Sequence, residues 1–196
     1  MITKEQFQAS ILPFTLRFEG GYVNDKADRG GETYRGISRK INPTWDGWPI
    51  IDEYKVSGSL KRGDIINNAK LKDSVANFYF EKYLRANHLD NLDSVLVALV
   101  CFDFAVHGGF STLLLQRLIN RKFNGKLYDD GIWGSNTKNA ANAIGEKELS
   151  LAILDVRKQR FANIIENDPT QERFRDGWNN RIEYLKELVR VNTGKA

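Results

Sequence analysis

The sequence is poor in the residues that build metal and thiol chemistry. Among 196 residues it has one cysteine and two histidines. A lone Cys101 excludes an internal disulfide, and its place in an apolar helical pattern assigns it to core packing. So few ligands leave no set for a catalytic zinc and no Cys/His nucleophile pair, so neither metal nor cofactor is expected. No apolar run reaches the roughly 20 residues of a membrane span. The longest candidate, 95–106, is interrupted by Asp103 and reads as a buried helix. There is no Walker-type loop, zinc spacing or dense Lys/Arg stripe, so nucleic acid is not an expected partner. The net charge of +4 mildly favours anionic polymers such as those of a cell wall. The N-terminus, MITKEQFQAS, has no basic stretch followed by an apolar one. No signal peptide is expected, and synthesis is assigned to the cytoplasm with release or export before any action outside.

What is present is an ordinary globular balance, 41% apolar and 28% charged. A chain of this length buries roughly 70% of its unfolded surface. Helical spacing dominates. Phe7, Ile11, Phe14 and Phe18 recur on one face, with Pro13 marking either a kink or the first turn of a second helix. Glu19 falls in the last turn, and Gly20 or Gly21 serves as the stop. From 22 to about 52 the pattern breaks into Gly, Asp, Arg and Trp, with short β-like pieces near 33–37. An irregular loop with one small hairpin is expected there, and such loops carry function. Helices follow over about 73–83 and 94–106, then from Ser111 through Leu118, from a capping Ser135 to 144, over 146–166, and through Trp178, Ile182, Leu185 and Val189. The fold class is mainly α, with a small irregular β/loop region after the first helix. Two regions, 1–110 and 111–196, are expected to pack together.

The chemistry concentrates in E-G-G-Y-V-N-D-K-A-D-R-G-G-E-T-Y-R-G-I, residues 19–37. Glycosidic bonds are commonly cleaved by two carboxyl groups, one protonated and one ionised. Their pKa values must be separated by their surroundings. A Glu at the end of an apolar helix is disfavoured as an anion by burial and by the helix dipole. An Asp on a polar loop stays ionised. Taken alone, Glu19 followed by two glycines is also an ordinary helix end.

The same stretch resembles the signature E-G-G-Y-x-N-D-x-x-D-x-G-G-x-T-x-x-G-I of the N-acetylmuramidase family labelled glycosyl hydrolase 108. Its members are lysozyme-like and occur among phage endolysins and proteins named secretion activators. The likeness continues in order through Tyr79 and Tyr83, where the usual Tyr-Trp pair reads Tyr83-Leu84. Phe102-Asp103-Phe104-Ala105-Val106-His107-Gly108-Gly109 resembles "FD-x-A-V-N-x-G", with His107 in place of Asn. Leu115-Gln116, Asp130-Gly131, Gly134 and Thr137 resemble the peptidoglycan-binding pattern "LQ…DGxxGxxT". Phe174-x-x-Gly177-Trp178-x-x-Arg181 resembles the terminal "F-x-x-GW-x-x-R".

The resemblance implies a lysozyme-like fold and a peptidoglycan hydrolase that cuts the β-1,4 bond between N-acetylmuramic acid and N-acetylglucosamine. It implies that Glu19 is the catalytic acid. By similarity to phage lysozymes, Asp28 is nominated as the second carboxylate and Thr33 as the hydroxyl that holds water, with the spacing to Thr33 one residue short. Asp25 is the rival of Asp28, or a turn cap. Glu32 is expected to face solvent. Tyr22, Tyr34, Trp45, Trp48 and Tyr79 are candidates for stacking on sugar rings, with Tyr22 and Tyr34 foremost because they flank the carboxylates, against core packing as the alternative. His107 is a candidate substrate contact or a helix cap. Asp103, inside an apolar helix, needs a charged or hydrogen-bonding partner, such as an Arg or the N-terminal loop. The partner is peptidoglycan, and the chain is expected to act as a monomer. A lytic transglycosylase and a non-catalytic wall-binding module are the rival readings.

Overall fold

The structure, a computed structural model, describes residues 1–25, 31–58 and 60–194. Asp28 lies outside them. Among the described residues there are nine α-helices and one three-stranded antiparallel sheet. Contacts divide the chain into two compact units, Lys4–Lys82 and Tyr83–Ala196 with Met1–Thr3.

The first unit opens with α1 (Lys4–Ser10) and α2 (Leu12–Leu16). Pro13 stands in the first turn of α2, where its missing N–H costs nothing, so the proline starts a new helix rather than kinking one. Phe7, Ile11, Leu12 and Thr15 are buried, and Phe7 meets Phe80 edge to face at 5.4 Å. The chain then forms β1 (Tyr22–Asn24), β2 (Glu32–Tyr34) and β3 (Ile37–Ser38). Tyr22 pairs with Tyr34 and Val23 with Thr33, while Tyr34 pairs with Ile37. Helix α3 (Trp48–Val56) begins inside the stretch expected to be irregular, because Pro49 fits its first turn. Helix α4 (Ala69–Tyr79) begins four residues earlier than the spacing suggested, where the Asn68 side chain accepts from Leu71 N at 3.0 Å. A π-helical turn, Phe80–Arg85, follows.

The second unit is built on α5 (Val95–Val106), apolar all round and buried along most of its length. Ser94 caps it. Around it come α6 (Thr112–Phe123), capped by Ser111, α7 (Ser135–Asn142), α8 (Glu146–Asn167) and α9 (Arg175–Thr193). The residue capping α7 is Gly134; Ser135 is already inside the helix. Asp168 ends α8 and accepts from Thr170 N at 3.1 Å to open the next turn. Asp103 is 1% exposed, and the Arg181 guanidinium donates to both its oxygens at 2.9 and 2.8 Å. Arg157, fully buried, stands 3.5 Å from the same carboxylate. The charge inside α5 is thus compensated by α8 and α9, and the terminal "GWxxR" supplies its main partner. No helix among the described residues is long and apolar enough to cross a membrane.

Candidate active site

Glu19 stands in the bend after α2 rather than in its last turn; the helix ends at Leu16. It is half-buried. Its carboxylate is set against the turn joining β2 to β3. A Cβ built on Gly36 would lie 2.6 Å from Glu19 Oε2 and 2.6 Å from the Tyr79 hydroxyl, so carboxylate, glycine and phenol meet at one point. Only glycine fits that place. The turn's two central residues, Arg35 and Gly36, have φ of 49° and 77°, as a two-residue hairpin with the strands' own twist requires. Arg35 Nη1 donates to the carbonyls of Leu16 at 3.3 Å and Glu19 at 3.5 Å. The Arg35 carbonyl accepts from Tyr79 Oη at 2.7 Å.

The glycines after Glu19 act differently from expectation. Neither Gly20 nor Gly21 has a positive φ. Gly21 is needed for close approach: a Cβ there would lie 2.3 Å from Gly63 O and 2.4 Å from Asp64 O. Segment 63–64 pairs with the edge of β1, through Tyr22 N to Asp64 O at 2.9 Å and Gly63 N to Tyr22 O at 2.7 Å.

Three of the expected sugar-stacking residues are core residues instead. Tyr22, Tyr34 and Tyr79 are 6%, 2% and 2% exposed. Tyr34 stacks on Trp45 at 6.5 Å, Trp45 packs on Trp48 and Phe78, and Tyr79 packs edge to face on Phe78. These rings pack with the aliphatic core of the unit, which includes Ile37, Ile51, Ile66, Leu71 and Val75. Their hydroxyls do structural work: Tyr34 Oη accepts from Ile66 N at 3.1 Å. Burial raises the pKa of the Tyr22 and Tyr34 phenols, and for Tyr22 the neighbouring Glu32 adds to the effect.

Glu32 does not face solvent. Its side chain is 12% exposed and stands 2.8 Å from both Arg39 Nε and Lys55 Nζ. It also accepts from Tyr22 Oη at 2.9 Å. Arg39 makes a fork to Asp52 at 3.1 and 2.7 Å, which holds the Asp52 carboxyl below its ordinary pKa. This cluster ties β2 to α3. Asp25 stands 3.8 Å from Arg62. Thr33 sits on the face of β2 opposite Tyr34, and its hydroxyl donates to Gly31 O at 3.4 Å. A cavity of about 580 Å³ in the same unit is lined by Leu12, Leu16, Tyr34, Arg35 and Ile66, but not by Glu19.

In the second unit His107 follows α5. Its ring is open to solvent on one side, while Arg157 Nη2 lies 3.1 Å from Nδ1 on the other and Phe161 packs edge to face at 5.8 Å. Desolvation first, and then the positive charge of Arg157, lower its pKa to about 4. The imidazole is therefore neutral at pH 7, with Nδ1 accepting and Nε2 carrying the proton.

The "LQ…DGxxGxxT" residues form one hydrogen-bonded knot. Gln116 Nε2 donates to Asp130 Oδ1 at 2.9 Å, Ile132 O at 3.1 Å and Thr137 Oγ1 at 3.2 Å, and its Oε1 accepts from Gly131 N at 2.9 Å. Gly131 has φ of 74°. One turn on, Asn120 grips Leu127 through both its amide atoms. The loop so fixed presents Tyr128 and Ile132, 85% and 69% exposed.

Comparison with known proteins places these features. The family model described as Glycosyl hydrolase 108 matches residues 12–109, and that described as Predicted Peptidoglycan domain matches residues 111–183. A solved structure of Brucella abortus SagA is similar in fold, with a TM-score of 0.63 and 23% sequence identity over 95% of each chain. No curated protein matches the chain.

Proposed function

Because the chain belongs to the glycosyl hydrolase 108 family, we propose that it cleaves the β-1,4 bond between N-acetylmuramic acid and N-acetylglucosamine in peptidoglycan, with Glu19 as general acid. The observation that carries this is the seat of Glu19. Its carboxylate lies in the bend after α2, against a glycine that leaves it room and beside a buried phenol. A half-buried carboxyl there is removed from bulk water on one side and reachable on the other, as a proton donor to a leaving oxygen must be.

The second carboxylate is Asp28 or Asp25. Asp28 follows the order shown by phage lysozymes. Asp25, 3.8 Å from Arg62 in a solvent-exposed pair, is its rival. Thr33, on β2 just before the turn at Arg35, is the water-holding hydroxyl. Residues 111–183 hold the wall polymer, with the braced loop around Tyr128 and Ile132 as the contact surface. The protein acts as a monomer, after release or export to the wall.

Mass spectrometry of purified peptidoglycan after digestion tests the reaction. Fragments with reducing N-acetylmuramic ends are expected. Anhydro ends would make the protein a lytic transglycosylase, and wall binding without fragments would make it a binding module.

A further inference from the structure

The turn facing Glu19 carries a residue that the turn itself does not favour. A hairpin turn with both central φ positive takes Asn or Gly first, because a larger side chain is strained in the left-handed region. Arg35 stands there at φ 49°. Hairpin geometry gives no reason for an arginine. Its guanidinium does: Nη1 lies over Leu16 O at 3.3 Å and Glu19 O at 3.5 Å, at the two ends of the bend that bears the acid. Leu16 O is among the carbonyls that a helix end leaves to be satisfied. Both contacts are long, so the hold is that of a full positive charge on two carbonyl dipoles. Arg35 is held in turn, since its own carbonyl accepts from Tyr79 Oη at 2.7 Å and Tyr79 is 2% exposed on α4. A continuous chain of bonds thus runs from the core helix through Tyr79 and Arg35 to the main chain of Glu19.

We infer that Arg35 is a positioning residue for Glu19, fixed in its turn by Tyr79; this rests on the reading of Glu19 as the general acid. Arg35 acts through the main chain that carries Glu19. The physical demand is strict, because a misplacement of about 1 Å costs on the order of 10²-fold in rate.

The test uses the full chain and linear glycan strands purified from peptidoglycan, with Arg35→Asn, Arg35→Lys, Tyr79→Phe and Glu19→Gln. Asn suits this turn better than Arg, so Arg35→Asn keeps or raises Tm while removing the guanidinium. Its kcat is expected to fall by about 10- to 100-fold with KM changed less than about threefold. Arg35→Lys recovers part of the lost kcat, because an ammonium reaches one carbonyl but not both. Tyr79→Phe lowers kcat less than Arg35→Asn does. Unchanged kcat in Arg35→Asn beside an inactive Glu19→Gln overturns the inference and leaves the acid in place. A raised KM at unchanged kcat also overturns it, since Arg35 then belongs to substrate binding. So does a loss of kcat that only follows a loss of folded protein. Full activity in Glu19→Gln overturns the reading of the site itself, and the inference with it.

Discussion

Gly36 and the Glu19 carboxylate share one volume: the Cβ that Gly36 lacks would lie 2.6 Å from Glu19 Oε2. Gly36→Ala must therefore displace the acid, and it must also hold a side chain at φ 77°. The backbone strain alone costs about 1–2 kcal/mol, and the rate on peptidoglycan is expected to fall by about 10²-fold. Gly20→Ala is the control, with nothing within 4 Å of the added carbon and no positive φ. It should change stability by less than about 0.5 kcal/mol and leave the rate unchanged. Thermal melts and a turbidity assay on purified walls measure both.

The buried ion cluster of the second unit makes a stability prediction. Asp103→Ala leaves Arg181 and Arg157, 4% and 0% exposed, without their counter-ion. Breaking a buried pair from one side costs about 3–5 kcal/mol. Denaturant unfolding should show a midpoint lowered accordingly, and Arg181→Ala should show a smaller loss because Arg157 remains beside Asp103.

Gln116→Ala unties the loop at Asp130 and Gly131. It removes a residue 2% exposed that bonds to several loop groups, at a cost of about 1–3 kcal/mol. The specific signature is hydrogen exchange: the Gly131 amide, bonded to Gln116 Oε1, should lose its protection. Unchanged protection at Gly131 would mean that the knot does not hold the loop.

The titration of His107 has a definite sign. Its pKa is lowered to about 4 in the folded chain, below the ordinary value near 6.5. The unfolded chain therefore binds more protons between these values, and stability contributed by the neutral ring is full above pH 6.5 and is lost as pH falls toward 4. The solvent-open side of the ring makes this contribution small. The clearest readout is the NMR shift of the His107 ring, which should stay that of a neutral imidazole from pH 8 down to pH 5. A midpoint near 6.5 would contradict the contact with Arg157.

How much of this was legible in the sequence differs from residue to residue. The helical pattern around α5 and the need of Asp103 for a cationic partner follow from periodicity and the cost of a bare buried charge. Pro13 marked a helix start, though the alternative of a kink read equally well. Glu19 was legible as a candidate acid from its place between an apolar run and a polar loop, and from the family signature. The burial of Tyr22, Tyr34 and Tyr79 was not, because an aromatic beside a carboxylate reads alike whether it lines a cleft or fills a core. Glu32 looked solvent-facing because its partners Arg39 and Lys55 come from elements that only the fold brings near. The place of Gly36 under the acid is likewise a tertiary fact, whereas the Gly20-Gly21 pair drew attention by sequence adjacency alone. The compact units divide at Lys82 and Tyr83, while the family matches meet near residue 110. Motif order records ancestry, but α5 must bury its apolar surface against α8 and pair its Asp103 with Arg181 of α9.

The central claim is that Glu19 delivers the proton. Glu19→Gln keeps the side chain's size and removes the acid, so the fold and binding to walls should persist. The measurement is the rate of release of reducing ends from purified peptidoglycan. It should fall by about 10²- to 10⁴-fold, the range general acid catalysis supplies, with the bound fraction on intact walls unchanged. A Glu19→Gln protein that releases reducing ends at the parent rate would contradict the account.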